Sequence, residues 1–309
     1  MSRALFGRVA TATVALAAAA IVVLSGSTSG QPSASESSVR PVAQRQTESP
    51  VSEPTTLSGK YVALGSSYAA GPDGPESLTN RCFRTSDNYP HQVAEALGMS
   101  LIDATCSGAT TSNIIDRAQR FTSKPQIDAV TPDTALVTIT TGGNDIGYIQ
   151  RLISMSCRNV VPELAREVAA RGCRLGRPMP SEPGPVQYDK VAEKIAETVY
   201  AVRLRAPLAR ILVVDYPPVV VSGGPTCAKL PLSPLEIAST IRVYDGLAAA
   251  TARGAEISGA GLVQTSGIGA FHTVCSADPW LRGFELPVPY HPNAAGKAGV
   301  AKLVINAVR

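Results

Sequence analysis

Between Lys60 and Arg309 the chain alternates short apolar runs with longer stretches whose apolar residues recur every three or four positions. The runs are Tyr61–Leu64, Leu101–Ala104, Ala135–Ile139, Arg210–Asp215 and Gly261–Thr265. Each is short, and several are rich in β-branched residues, as buried strands are. The stretches between them predict helices over Asp87–Leu97, from Thr111 or Ser112 through Arg117, over Ile146–Ser156 and over Tyr188–Arg205. Two more follow, from Ser233 or Pro234 to Ser258 and over Asn293–Val308. In the fourth helix Val191, Ile195, Val199 and Val202 form one apolar stripe. Strand and helix alternate with no hairpin signal. That order predicts an α/β fold with a five-stranded parallel sheet between two layers of helices.

The first sixty positions follow another rule. Met1–Gly30 opens with Arg3 and Arg8, continues as an uncharged Ala/Val-rich run over Val9–Leu24 and ends in small residues, the pattern of an export signal. A cleaved signal peptide is the first reading and an uncleaved amino-terminal anchor the second. Residues 31–59 are rich in Ser, Pro, Thr, Gln and Glu and hold too little apolar surface to offset chain entropy, which predicts a disordered linker. One domain over residues 60–309 remains.

Charge and cysteine usage narrow the partners. Of the net charge of +4, the export segment carries +2 and the linker −1, so the domain carries only +3. No Lys/Arg cluster marks a nucleic-acid groove. The six cysteines, Cys82, Cys106, Cys157, Cys173, Cys227 and Cys275, contain no C-x-x-C pair. In an exported chain an even number predicts three disulfides, and fifteen pairings are possible. Consecutive pairing is the simplest.

Three strands run into turns of small residues: Gly65-Ser66-Ser67, Cys106-Ser107-Gly108-Ala109 and Gly142-Gly143-Asn144-Asp145. In a parallel sheet these turns share one edge, where ligands bind. Two adjacent serines on such a turn suggest a nucleophile. Acyl transfer then needs a base and donors for an oxyanion. The three histidines are His91 inside the first helix, His272 in a loop beside Cys275, and His291 just before the last helix, which makes His291 the best-placed base.

The same blocks, in the same order, resemble the SGNH (GDSL) hydrolases, over all of Lys60–Arg309. GSSY stands where that family has Gly-Asp-Ser, CSGA matches its glycine block, GGND its Gly-x-Asn-Asp block and HPNAAGKAG its histidine block. The resemblance implies a flavodoxin-like α/β/α domain. It implies catalysis by Ser67 and His291, with an oxyanion hole made by the N–H groups of Ser67 and Gly108 and the amide of Asn144. The cysteine layout looks like the secreted actinobacterial lipase/esterase branch, which implies the pairs Cys82–Cys106, Cys157–Cys173 and Cys227–Cys275.

Two positions depart from the family pattern. Ser66 replaces the usual Asp, and Val288 stands where many members have an Asp three residues before the histidine. A backbone carbonyl near Val288–Pro289, or one from the Trp280 loop, is the expected partner of the imidazole, with Asp278 as the alternative. Asp145 is expected to organise the oxyanion loop.

The resulting expectation is an exported, monomeric hydrolase of lipid or short acyl esters. It needs no cofactor or metal and makes at most transient contact with membrane or cell wall. An acetylesterase acting on cell-wall polysaccharide is the alternative, and a catalytically silent binding protein on the same fold is the third reading. An ordinary imidazole would give an activity limb at about pH 6–7.

Overall fold

The computed structural model describes residues 58–73, 75–120, 122–160, 178–285 and 288–309. The expected export signal and nearly all of the linker lie outside the described residues, as do residues 161–177 with Cys173. Five strands form one parallel sheet: β1 (Lys60–Gly65), β2 (Ser100–Asp103), β3 (Thr134–Thr140), β4 (Arg210–Val214) and β5 (Gly261–Val263), in the order β2-β1-β3-β4-β5. The chain winds outward from β1 to one side, then crosses over to the other. Such an order reversal at β1 opens a crevice at the carboxyl ends of β1 and β3.

Period-two alternation places two cores on the two faces of the sheet. Val62, Leu64, Val137, Ile139, Ile211 and Val213 point to one face. Helices α4 (Tyr148–Asn159), α5 (Pro185–Arg205) and α6 (Pro234–Ser258) cover that face. The stripe Val191, Ile195, Val199 and Val202 is fully buried there, each side chain contributing about 1.5–3 kcal/mol over leaving it in water. Tyr61, Ala63, Leu136, Leu212, Val214 and Val263 face the other core, under α2 (Tyr89–Leu97) and α8 (Ala294–Val308).

Helix ends follow capping chemistry. Ser233 and Glu236 close a capping box at the start of α6, with Pro234 in the first turn and Gly259 in the left-handed conformation at its end. Among the described residues two short α-helices fall where the sequence pattern predicted none. Helix α1 (Ser67–Ala70) follows β1 directly. Helix α7 (Thr265–Gly269) ends β5 at Val263, two residues earlier than expected. It forms because the Asp215 carboxylate accepts the Thr265 and Ser266 N–H groups at 2.5 and 3.0 Å, a cap supplied by the residue just past β4 that no local pattern reveals. Helix α3 (Thr111–Ile115) starts as expected but is one turn long.

Cys82 is joined to Cys106 and Cys227 to Cys275. The third expected pair, Cys157–Cys173, includes a residue outside the described ones. Among the described residues no helix is long and apolar enough to cross a membrane.

Candidate active site

Strand β1 stops at Gly65, where φ is +151° and a Cβ would sit 2.5 Å from the Thr140 carbonyl oxygen, so the turn requires glycine. Both polar groups of this peptide are taken by one side chain. Gln126 accepts the Gly65 N–H at 2.7 Å and donates to its carbonyl at 3.0 Å. On the other side Ser66 N–H donates to Thr140 O at 3.0 Å. The chain then enters α1, and Ser67 occupies its first position.

This geometry sends the two serines in different directions. The Ser66 hydroxyl lies 3.3 Å from the Tyr216 hydroxyl, which also accepts the Gly143 N–H at 3.3 Å. Ser66 therefore joins a buried link to the third block. Ser67 Oγ lies 2.8 Å from His291 Nε2. Nδ1 of the same ring is 2.7 Å from the Pro289 carbonyl oxygen. A carbonyl can only accept, so Nδ1 carries the ring proton and Nε2 presents its lone pair to the serine. Burial lowers the His291 pKa from 6.5 to about 4, although the Pro289 carbonyl pulls it upward. The neutral imidazole is thus the resting form.

The loop around the histidine is irregular but tightly bonded. Leu281 and Pro292 form an isolated antiparallel bridge, and Arg282 N–H donates to His291 O at 2.9 Å. Tyr290, fully buried, has φ +61°. A non-glycine residue there costs about 1–2 kcal/mol, and such strain persists only where surrounding contacts over-determine it. The contacts are present: Tyr68 Oη donates to Tyr290 O at 2.8 Å, and the Tyr290 hydroxyl is 2.5 Å from Ser156 Oγ.

The other two histidines lie elsewhere. His272 Nδ1 is 2.7 Å from Asp278 O and 3.7 Å from the Asp278 carboxylate, and its ring stacks on Trp280 at 4.6 Å. Asp278 therefore pairs with His272 and is not a third member behind His291. The Trp280 loop supports α8 instead, with Pro279 O accepting from Asn293 Nδ2 at 2.7 Å. His91 stays on α2, 2.8 Å from Asn88 Oδ1.

The remaining donors come from the second and third blocks. The Cys82–Cys106 bridge, together with Cys106 N–H to Gly65 O at 3.0 Å and Ser107 N–H to Cys82 O at 2.9 Å, fastens the second turn to the first. Gly108 in that turn has φ +83°, a left-handed conformation natural to glycine. Among the described residues no hydrogen bond engages the N–H of Ser67 or Gly108. Asn144 Nδ2 donates one hydrogen to Ala109 O at 2.9 Å, and among the described residues its second has no acceptor. Asp145 accepts from the Thr111 hydroxyl at 2.6 Å and from Thr111 N–H at 3.2 Å. It thereby ties the turn that carries Asn144 to the start of α3. A cavity of about 590 Å³, lined by Ile115, Asn144, Ile146 and Val191 among others, opens beside Asn144 between α3 and α5. Among the described residues no three His, Cys, Asp or Glu side chains gather as a metal site.

Sequence reasoning missed Gln126, Tyr68 and Tyr216. Gln126 follows a proline in a short turn and carries no local signal. Tyr68 and Tyr216 each lie just past a strand end, and only the fold reveals what their hydroxyls reach.

The sequence model of the GDSL-like Lipase/Acylhydrolase family matches residues 63–298. Lipase 2 of Streptomyces coelicolor is 34% identical over 258 residues, covering 78% of this chain and 83% of its own. Among solved structures, an extracellular lipase from Streptomyces rimosus superposes with a TM-score of 0.62 at 27% identity, over 81% of this chain and 100% of its own. Phospholipase A1 from Streptomyces albidoflavus superposes with a TM-score of 0.63 at 26% identity, over 81% of this chain and 99% of its own.

Proposed function

Because the chain belongs to the GDSL-like lipase/acylhydrolase family and is a carboxylic ester hydrolase, we propose that it works through a Ser67–His291 dyad oriented by the Pro289 carbonyl. The observation that carries this reading is the line Ser67 Oγ, His291 Nε2, His291 Nδ1, Pro289 O, with contacts of 2.8 and 2.7 Å. Ser67 Oγ attacks the ester carbonyl carbon while its proton passes to Nε2. The carbonyl oxygen becomes an oxyanion, received by the N–H groups of Ser67 and Gly108 and the free amide hydrogen of Asn144. Collapse of the tetrahedral intermediate breaks the ester C–O bond, and the leaving alkoxide takes the proton from Nε2. Water then attacks the acyl-Ser67 with Nε2 again as the base, releasing the carboxylic acid and restoring the serine.

In this reading Pro289 supplies what a carboxylate supplies in a triad: it fixes the tautomer and the ring plane. It adds no charge, so it stabilises the imidazolium less than a carboxylate does. The third reading, a silent binding protein, loses its footing. Ser66 is occupied with Tyr216, and a carbonyl stands in for the carboxylate missing at Val288.

Lipid and short acyl esters are the proposed substrates, supported by the relatives named as lipases and as phospholipase A1. Export is proposed on the basic-then-apolar start and on the two disulfides, which persist in oxidising compartments. The test is hydrolysis of chromogenic esters of graded acyl length, a phospholipid and an acetylated glycan. Ser67→Ala and His291→Ala should each lower turnover by roughly 10⁴- to 10⁶-fold with the fold intact. Turnover retained in either variant would overturn the assignment, and preference for the acetylated glycan would move the substrate class to acetylesterase.

A further inference from the structure

We propose that Tyr68 is a positioning residue for the general base: its hydroxyl, donating to the Tyr290 carbonyl, ties the loop that carries His291 to the helix that carries Ser67. The inference rests on the reading of Ser67 and His291 above and adds a residue that reading does not use.

Tyr68 follows Ser67, and Tyr290 precedes His291. Two contacts therefore run side by side, Ser67 Oγ to His291 Nε2 at 2.8 Å and Tyr68 Oη to Tyr290 O at 2.8 Å. The first is exchanged at every proton transfer. The second is buried, involves no reacting atom and lasts through the cycle. The Tyr290 oxygen can only accept, so Tyr68 must donate, and burial holds the Tyr68 pKa well above its ordinary value, which keeps that proton in place.

A tether matters here because of what orients the imidazole. A carboxylate would attract the Nδ1–H through charge, whereas a neutral carbonyl acts only where the backbone puts it. The proline ring restricts φ at Pro289. The direction of its carbonyl then depends on ψ at Pro289 and φ at Tyr290, and the Tyr290 φ of +61° is the strained element of this loop. Ser156 and the Gly283 carbonyl, which accepts Tyr290 N–H at 3.1 Å, hold Tyr290 from its own side of the molecule. Tyr68 is the contact that refers its position to the nucleophile. The Tyr68 ring is itself fixed edge-on against Tyr216, with centroids 4.8 Å apart, and Tyr216 reaches Ser66 and Gly143.

Tyr68→Phe keeps the ring and removes the hydroxyl. It should lower kcat by about 10- to 100-fold while KM stays within about twofold and the thermal midpoint falls only by the few degrees that go with one buried carbonyl losing its donor. Nitrogen-15 NMR of the His291 ring adds a readout that a merely structural role would not move. The parent should show one tautomer with the proton on Nδ1, and Tyr68→Phe a mixture of both. A kcat within about twofold of the parent, or an unchanged tautomer, would overturn the proposal. If Tyr68→Phe does not fold, a pair at the other end decides. Tyr290→Gly, free to keep the left-handed backbone, should retain about tenfold more kcat than Tyr290→Ala, and equal values would overturn it. Ser67→Ala and His291→Ala in the same assay separate the two levels. Activity in either defeats the dyad, whereas two inactive variants beside a normal Tyr68→Phe defeat only the positioning role.

Discussion

Ser67 sits where a fully paired strand of the sheet breaks into a helix, whereas His291 sits on irregular chain inside the loop that the Leu281–Pro292 bridge closes, three residues before α8. The serine's position follows from main-chain pairing. Gly65 lies against Thr140, Gln126 closes the strand end, and a disulfide fastens the neighbouring turn. The histidine's position follows from side chains that reach in from elsewhere, with Tyr68 and Ser156 holding a strained Tyr290. The lesson is that one half of this site is inherited from the fold and the other half is assembled on it. Changes to the first half should act on charge stabilisation, and changes to the second on the geometry and protonation of the base.

Beyond replacement of Ser67 or His291 themselves, the largest effect expected belongs to the half built on the sheet. Asn144→Ala should lower kcat by about 10²- to 10³-fold, equivalent to roughly 2.7–4 kcal/mol in the barrier, with KM little changed in steady-state assays. A fall in KM-linked binding alone would remove Asn144 from the oxyanion site.

The assembled half is sharpened by pH. Burial lowers the His291 pKa to about 4, so the imidazole able to accept a proton persists far below the range expected of an exposed histidine. The acid limb of kcat/KM should fall near pH 4, not at about pH 6–7 as an ordinary imidazole would give. The same shift has a stability consequence. The folded pKa lies below the unfolded one, so this contribution to stability is fully present above about pH 6.5 and is lost as pH falls from there towards 4. Thermal midpoints of the parent and of His291→Gln should therefore diverge at neutral pH and converge as the solution is acidified. A parallel pair of curves would count against a buried neutral ring.

The smallest effect is expected at Asp278. Its carboxylate lies by His272, so Asp278→Asn should leave kcat and the acid limb within about twofold of the parent. A loss on the order of 10³-fold or more, as when a triad carboxylate is removed, would restore Asp278 as the partner of His291.

How much of this was legible in the sequence divides along the same line. The five strands and their parallel order follow from apolar runs and from the absence of hairpin turns, because a parallel strand buried on both faces leaves that trace. The turn residues Ser67, Gly108 and Asn144 could be read because each follows a strand end or its turn directly. His291 could be placed because it precedes a helix whose start is marked by Pro292 and Asn293. The Pro289 carbonyl behind it falls where one was expected, near Val288–Pro289, because no carboxylate stands at Val288. The longer-range contacts could not be read: Gln126 lies 61 residues from the glycine it closes, and Tyr68 and Tyr290 are 222 residues apart. Helix α7 was missed for the same reason, since its cap is Asp215, fifty residues upstream. Long-range pairings of single polar groups leave no periodicity behind.

Covalent capture tests the central claim most directly, because two serines stand side by side and only one faces the imidazole. Treatment with a chromogenic phosphonate ester, followed by peptide mapping in a mass spectrometer, should give one adduct per chain, on Ser67. His291→Ala should nearly abolish that labelling. An adduct on Ser66, or undiminished labelling without the histidine, would contradict the account.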